Sequence, residues 1–233
     1  MSKKVFMGTL CAGLLALGCG DDDSSGMAGD GGSGVSGLNA CGGTAILSDA
    51  TAVPGQPCGA CDTGIWTCVD EDTLECANEA TVVANVAAGG TVEASSTFDP
   101  KFPKELSIDD NLGTAWFSSG PKEGGAPSTY TWTGSSSCIT SIDVLSLSTH
   151  DNVNFRNGFG FGTITVDVFD GQERVAQSVE DVSQNDPQTQ SDPNVSVTYE
   201  GGVQADRIVL SLADHESDLC GGFSELVINA VSN

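Results

Sequence analysis

The sequence is poor in basic residues. It holds 8 Lys and Arg against 32 Asp and Glu in 233 residues, a formal net charge of −24. Nucleic acids and anionic membranes attract clustered Lys and Arg, so neither is expected as a partner. The acidity itself is explained by a solvated, charged surface.

Signatures of catalysis are missing as well. The only two histidines are His150 and His215. His215-Glu216 begins the H-E-x-x-H pattern of zinc proteases, but Leu219 stands at the second metal-binding position. No G-x-S-x-G nucleophile elbow or phosphate loop is present. We therefore expect a protein that is not an enzyme, unless two carboxylates with raised pKa values lie buried in one cleft.

The sequence has no hydrophobic run long enough to span a bilayer, which takes about 20 residues. Its apolar stretch from Val5 to Leu17 follows Lys3 and Lys4 and closes at Gly18. This order is typical of a secretory signal, which we assign to residues 1–18. No transmembrane helix is expected.

The sequence Leu15-Ala16-Leu17-Gly18-Cys19 resembles a bacterial lipobox, in which the cysteine becomes the lipidated N-terminus. Ala16 stands where the lipobox usually has Leu, and the alternative is ordinary signal-peptidase cleavage near Gly18. Residues 19–40 are rich in Gly, Ser and Asp and predict a flexible, disordered tether. We expect an exported protein held in the bacterial envelope, at the outer membrane, that contacts membrane only through its lipid.

Residues 41–80 form a cysteine-rich module. Export favours disulfides here. The pair Cys58-Gly-Ala-Cys61 is the zinc alternative, but no second close pair and no His accompany it. The module's cysteines are Cys41, Cys58, Cys61, Cys68 and Cys76.

This module resembles a short Cys-rich repeat in exported proteins of social soil bacteria. That pattern has six cysteines, one of them where this chain has Thr44. The resemblance implies a spacer, and an odd number of cysteines leaves at least one without a partner inside the module. Their connectivity stays open.

Residues 81–233 show short strands separated by polar turns. Ile164, Val166 and Val168 alternate with polar residues, and Asp170-Gly171 follows as a hairpin signal. Further strands are indicated around Val195–Tyr199, Ile208–Leu212 and Leu226–Val231. The pattern predicts an all-β sandwich or jelly roll.

Several motifs of this region resemble the discoidin domain, also called the coagulation-factor type-C domain. In chain order they are Glu93-Ala-Ser-Ser-Thr97, Leu106-Ser-Ile-Asp109-Asp-Asn111-Leu-Gly-Thr114-Ala-Trp116, Trp132 before an Ile139–Leu147 strand, Val168-Phe-Asp170-Gly171 and Phe223-Ser-Glu225-Leu-Val-Ile228. The resemblance implies a galactose-binding-like jelly-roll β-sandwich, with Trp116 and Trp132 in its core.

The same resemblance implies a structural calcium site, because Ca²⁺ prefers carboxylate, hydroxyl and carbonyl oxygens. The implied ligands are Leu106, Asp109, Asn111, Thr114 and Glu225. The alternative is a plain Asp-Asn turn capped by its own side chains. Asp110 stands where the family has Gly.

Cys138 and Cys220 are the only cysteines of this region, and each precedes an apolar strand. We expect a disulfide between them, which departs from the family's usual bridge between its termini.

Domains of this kind bind ligands through loops at one end of the sandwich, and residues 149–158 form the candidate ligand loop. Its side chains supply the planar hydrogen-bonding groups and the apolar ring that sugars require. The candidates are His150, Asn152, Asn154, Phe155 and Arg156. The loops Phe98 to Lys104, Ser118 to Ser128 and Asp214 to Gly222 are expected to line the same mouth. We expect a glycan or surface polysaccharide as partner; the alternative is a surface protein, with the domain serving interaction or structure.

Overall fold

The computed structural model describes residues 38–44, 46–47, 52–119, 126–182 and 194–232. The predicted signal peptide, the lipidation site Cys19 and the tether up to residue 37 lie outside these ranges. No helix within the described ranges is long and apolar enough to cross a membrane. The helices described are short 3₁₀ helices at Ala60–Asp62, Ala87–Gly89, Lys104–Ser107, Leu147–Thr149 and Val153–Phe155.

The described residues form β-strands that are short in the cysteine-rich module and longer in the region after it. These strands are β1 Pro57–Cys58, β2 Gly64–Cys68, β3 Leu74–Ala77, β4 Val82–Asn85, β5 Thr91–Ala94, β6 Trp116–Ser119, β7 Ser128–Leu145, β8 Phe161–Asp170, β9 Glu173–Asp181, β10 Val195–His215, β11 Cys220–Phe223 and β12 Glu225–Ser232.

Two long antiparallel strands, β7 and β10, run through the main sheet, whose order is β4-β12-β7-β10-β8-β9 with β5 also on β7. The first half of β7 pairs with β5 and with the second half of β10, as at Trp132 opposite Ile208. The second half pairs with β12 and with the first half of β10, as at Ile142 opposite Val197. Register shifts separate the two halves.

Both long strands bend at these shifts, so their halves lie in the two layers of a β-sandwich. The ring of Phe223 lies 5.2 Å from that of Tyr130 near the start of β7. Two residues later, Glu225 pairs with Leu145 at the end of β7. Both termini of β7 therefore lie at one end of the fold, the loop end. Cys138 and the β8–β9 turn lie at the other end, which we call the bend end.

The core lies between the layers and is centred on aromatic residues. Trp116 and Trp132 are at most 1% exposed, which confirms their predicted place in the core. The indole nitrogen of Trp132 donates to the carbonyl of Ala87 at 2.9 Å, and that of Trp116 to the carbonyl of Ser96 at 3.2 Å. A buried indole usually needs such an acceptor, and both tryptophans have one.

The predicted hairpin after Val168 is confirmed. In β8 the side chains of Ile164, Val166 and Val168 are buried and those between them are not. Asp170 pairs with Glu173 across a two-residue turn in which Gly171 has φ 58°, the backbone region that glycine enters most easily.

The cysteine-rich module folds as the three-stranded sheet β1-β2-β3. The disulfides Cys41–Cys68 and Cys58–Cys76 hold this sheet, so the expected disulfides are confirmed and a Cys58/Cys61 zinc site is ruled out. Cys61 has no partner inside the module, as the odd count requires. It pairs with Cys138 of β7, and the described residues from Leu38 onward form one compact unit.

The predicted Cys138–Cys220 disulfide is wrong. Cys138 bonds to Cys61, and Cys220 is a buried free thiol. Cys220 pairs with Ser119 at the loop end, whereas Cys138 is seven residues from Leu145, about 20 Å along β7 at ~3.3 Å per residue. A disulfide needs Cα atoms within about 7 Å, so these two cysteines cannot meet.

Candidate functional site

Three of the five predicted calcium ligands place oxygen atoms around the hydroxyl of a fourth, Thr114. Its Oγ1 lies 3.1 and 3.0 Å from the two carboxylate oxygens of Asp109. The carbonyl oxygens of Asn111 and Leu106 lie 2.8 and 3.5 Å away. The loop that joins the Lys104–Ser107 helix to β6 thus gathers oxygen atoms around one point.

Asp110, where the discoidin-like motif has Gly, adopts a backbone conformation that glycine enters most easily. Its φ is 59°, in the left-handed region where Asp and Asn are tolerated better than most residues. Its amide donates to Oε1 of Glu225 at 3.3 Å, which brings the fifth predicted ligand to the same loop.

Glu225 is the buried carboxylate of this group, with 1% of its surface exposed. Burial raises its pKa to about 7, and the neighbouring charge of Asp109 adds to this effect. Its Oε2 is buried and has no hydrogen-bond partner among the described residues. A buried carboxyl group without a partner is expected to be either protonated, and so neutral, or ionised beside a cation.

The donor chemistry around Glu225 fits a hard cation such as Ca²⁺, which accepts carbonyl and hydroxyl oxygens beside carboxylates. Within the described ranges no three His, Cys, Asp or Glu side chains are grouped for metal binding. A cation here would therefore depend on the carboxylates of Asp109 and Glu225 together with neutral oxygens from the loop.

The candidate ligand loop, residues 149–158, lies directly against the 109–114 loop. Oγ1 of Thr149 donates to the carbonyl of Leu112 at 3.2 Å, and the amide of Asp151 donates to the carbonyl of Gly113 at 3.0 Å. A Cβ added at Gly113 would lie 2.7 Å from a carboxylate oxygen of Asp151, so the contact is close. The two loops are thus joined by one side-chain-to-backbone and one backbone-to-backbone hydrogen bond.

The five candidate ligand-binding residues are divided between the inside and the surface of this loop. His150 is only 6% exposed and lies beneath it. Phe155 and Arg156 are half-buried, whereas Asn152 and Asn154 are exposed. Asn152 also caps the Val153–Phe155 helix, because its Oδ1 accepts from the amide of Asn154.

An aromatic cluster holds the loop to the sandwich, with Phe155 at its centre. The ring of Phe155 lies 5.1 Å from that of Phe117 in β6, 5.6 Å from Phe102 and 5.3 Å from Phe159. Most of these rings meet edge to face, the arrangement that aromatic pairs favour. Phe155 therefore offers only part of its ring to a ligand.

One of the three neighbouring loops contacts the candidate ligand loop directly, and a second contacts Gly160, two residues beyond its end. Phe102, in the loop from Phe98 to Lys104, contacts Phe155. In the loop from Asp214 to Gly222, Oε2 of Glu216 accepts from the amide of Gly160 at 3.0 Å. Of the third loop, residues 120–125 lie outside the described ranges.

Sequence reasoning missed the second buried histidine, His215, which is 3% exposed. Its Nε2 lies 2.8 Å from Oγ of Ser118, and its ring packs on Phe161. The even-numbered residues of β10 from Ile208 to Leu212 are buried. At Asp214, which has φ 55°, this alternation breaks, and His215 is buried instead. A reading of period 2 through Leu212 predicts the opposite orientation for His215 and cannot find it.

Known proteins similar to this chain are found by structure and not by sequence. No family model matches the chain, and no curated protein matches it. The family 32 carbohydrate-binding module of NanJ from C. perfringens, solved in complex with galactose, is similar with a TM-score of 0.50 and 14% identity, covering 64% of this chain and 99% of that module.

Other solved structures show weaker similarity. The fucose-binding module SpX-3 of Streptococcus pneumoniae has a TM-score of 0.48 at 13% identity, covering 64% of this chain and 99% of its own. A coagulation-factor type-C (F5/8) domain of Bacteroides fragilis has 0.47 at 15% identity, covering 65% and 97%. The NanJ module and the strand order above establish the predicted all-β, galactose-binding-like jelly roll.

Proposed function

We propose that this chain is a lipid-anchored protein of the bacterial cell envelope that binds glycans through residues 149–158. The observation that carries this proposal is the surface of that loop. It places the exposed amides of Asn152 and Asn154 beside the half-buried Phe155 and Arg156 on one helical turn. Amide and guanidinium groups match adjacent sugar hydroxyls, and a ring edge covers an apolar sugar face.

The fold supports sugars as the class of ligand. The NanJ module, which shares the fold, was solved with galactose, and this makes galactose a reasonable first probe. His150 drops out of the proposed contact surface because its ring is buried. Asn152, Asn154, Phe155 and Arg156 remain as the proposed ligand contacts.

We also propose that Ca²⁺ is a structural cofactor of this site. Leu106, Asp109, Asn111, Thr114 and Glu225 would hold it. The ion would supply positive charge to two carboxylates and tie the 109–114 loop to β12. Because that loop supports Thr149 and Asp151, a bound ion would indirectly stabilise the ligand loop.

A binding role is better supported than a catalytic one. Two carboxylates buried together would favour an enzyme, but Asp109 is exposed, and Glu225 is the one buried carboxylate among the residues that the structure describes. The Ser118–His215 pair resembles a nucleophile with its base, yet Ser118 is fully buried and offers no access to substrate.

A glycan array tests the proposal, with the mature chain exported free of lipid by a Cys19→Ser change. The array is probed in calcium and again in chelator. A fragment that starts at Val82 is unsuitable, because it would leave Cys138 without Cys61. We expect saturable binding that Asn154→Ala weakens at least tenfold and that Gln172→Ala, at the bend end, leaves unchanged.

A protein partner is the second candidate, and exposed apolar side chains favour it. Leu112 is 42% exposed and Val153 65%, on the two loops that Thr149 joins. Failure of the folded chain to bind any glycan, together with retention of a surface protein that Val153→Ser releases, would replace the glycan proposal with this one.

The lipid anchor has its own test. In a bacterial host the native chain is expected in the membrane fraction and the Cys19→Ser variant in the soluble fraction. Equal partitioning of both variants would favour cleavage near Gly18 without lipidation.

A further inference from the structure

His150 occupies the interior of the candidate ligand loop, where its backbone and ring hold the loop's shape. Its amide donates to the carbonyl of Leu147 at 2.9 Å, and its carbonyl accepts from Nε of Arg156 at 2.8 Å. The ring meets Phe155 edge to face at 5.3 Å and Phe117 at 6.1 Å. Two of the proposed ligand contacts, Phe155 and Arg156, are therefore positioned by this residue.

The third interaction of His150 defines the protonation state of its ring. Nδ1 lies 3.0 Å from the amide nitrogen of Asn152 and accepts its hydrogen. An imidazole nitrogen accepts a hydrogen bond only when it carries no proton, so the ring is neutral with its proton on Nε2. Protonation at Nδ1 would set an N–H group against the N–H of Asn152.

Loss of that hydrogen bond would affect the whole turn. Asn152 caps the Val153–Phe155 helix, and a helix this short has few other interactions to hold it. Displacement of Asn152 therefore moves Asn154 and Phe155 as well. The exposed amide pair depends on one uncharged ring.

The surroundings of His150 resist a positive charge. Burial is the largest influence and lowers its pKa below the ordinary value of 6.5; Arg156 lowers it further, while the backbone of Asn152 and the charge of Asp151 act in the opposite direction without reversing the shift. Asp151 and Arg156 are the charged groups that act on the ring, since β6 contributes Phe117 and the 3₁₀ helix contributes Phe155, both uncharged. Acidification therefore favours a conformation in which the His150 ring has moved out of the interior of the loop.

We propose that His150 is a positioning residue whose neutral ring holds residues 150–156 in the ligand-binding conformation, and that its protonation opens the loop and releases the ligand. The release of ligand rests on the proposed function. The role of the His150 ring in holding residues 150–156 does not, and it is testable without a ligand.

The direction and range of the pH effect follow from linkage. The closed loop binds a proton less well than the open loop, so the closed form is fully favoured above about pH 6.5. It is lost as pH falls through the lowered pKa of His150. A single titrating group changes affinity by at most about tenfold per pH unit. We expect the affinity to fall at least threefold between pH 7.5 and pH 5.

The loop is tested first, without ligand, by nuclear magnetic resonance of the mature Cys19→Ser chain between pH 7.5 and 5. We expect His150 to carry its proton on Nε2 at pH 7.5. The Asn152 amide and Arg156 Nε signals should then follow the same titration curve as the His150 ring. A proton on Nδ1, or an Asn152 signal that ignores the titration, would overturn the proposal.

His150→Asn is the matched variant, because its side-chain oxygen replaces Nδ1 as an acceptor and does not titrate. The Asn152 signal of this variant should not change with pH, whereas His150→Ala should show the open-loop spectrum at every pH. A pH response in His150→Asn equal to that of the native chain would contradict the role of the ring.

Ligand release is tested second, with free galactose as the probe. Native binding should weaken on acidification, and any binding by His150→Asn should be insensitive to pH. Native affinity that is equal at pH 7.5 and pH 5 would refute ligand release by this ring. If the loop titrates as expected and galactose does not bind at any pH, the positioning role stands and galactose as the ligand fails.

Discussion

Removal of the Cys61–Cys138 disulfide should destabilise the whole unit from residue 38 onward. The two cysteines are 77 residues apart in sequence. In the loop-closure model a cross-link of this span stabilises the folded state by about 4.5 kcal/mol. The Cys58–Cys76 disulfide already shortens the path between them, which lowers that figure only slightly, to about 4 kcal/mol.

The perturbation is the double variant Cys61→Ala/Cys138→Ala, which leaves no new free thiol. Urea unfolding followed by tryptophan fluorescence is the assay, because Trp116 and Trp132 lie in the core. For a unit of this size, about 4 kcal/mol corresponds to a Tm lower by about 8–16 °C. Cys220→Ala, which removes a buried thiol and no disulfide, is the control and should cost far less.

Two results would refute this reasoning. One is a loss of stability below about 1 kcal/mol in the double variant, which would mean that the cross-link constrains little of the unfolded chain. The other is a peptide map of the native chain that joins Cys138 to Cys220.

Three further predictions concern single features of the fold and the site. Chelation of calcium should lower the Tm of the native chain and leave that of Glu225→Gln unchanged; an equal shift in both, measured by calorimetry, would place the ion elsewhere. Gly134→Ala should destabilise by about 1–3 kcal/mol in urea, because the added Cβ would lie 2.4 Å from the ring of Trp132. Gly89→Ala, whose Cβ meets nothing within 4 Å, is the matched control and should be near neutral. Arg156→Ala should weaken glycan binding in titration calorimetry without lowering the Tm by more than a few degrees, and full affinity in this variant would remove Arg156 from the contact surface.

Local patterns in the sequence were sufficient for part of the fold. The alternation from Ile164 to Val168 and the Asp170-Gly171 turn predicted the β8–β9 hairpin, because strand period and turn chemistry are local properties. The order of the discoidin-like motifs predicted the sandwich. It also brought Glu225 to the 109–114 loop from 115 residues away, which composition and periodicity alone would not do.

Features that depend on three-dimensional proximity were not predictable in this way. The strands predicted around Val195–Tyr199 and Ile208–Leu212 both belong to one strand, β10, in which Gly201 and Gly202 have φ above 70°. Gly202 lies against the Cys61–Cys138 disulfide, because an added Cβ would lie 2.5 Å from Sγ of Cys138. His150 was predicted at the binding surface because a loop sequence does not show which side chains turn inward.

The doubling back of β7 and β10 gives the sandwich two structurally different ends. Val82, where the chain enters the sandwich, pairs with Ser232 near its end, and Val231 pairs with Cys138, which carries the cysteine-rich module. All these attachments gather at the bend end, while residues 149–158 lie beyond the opposite end of strands about 30 Å long. The attachment of the cysteine-rich module and the proposed ligand loop are thereby at opposite ends of the sandwich. For the proposed function, a ligand at residues 149–158 would be approached from the end that carries no such attachment.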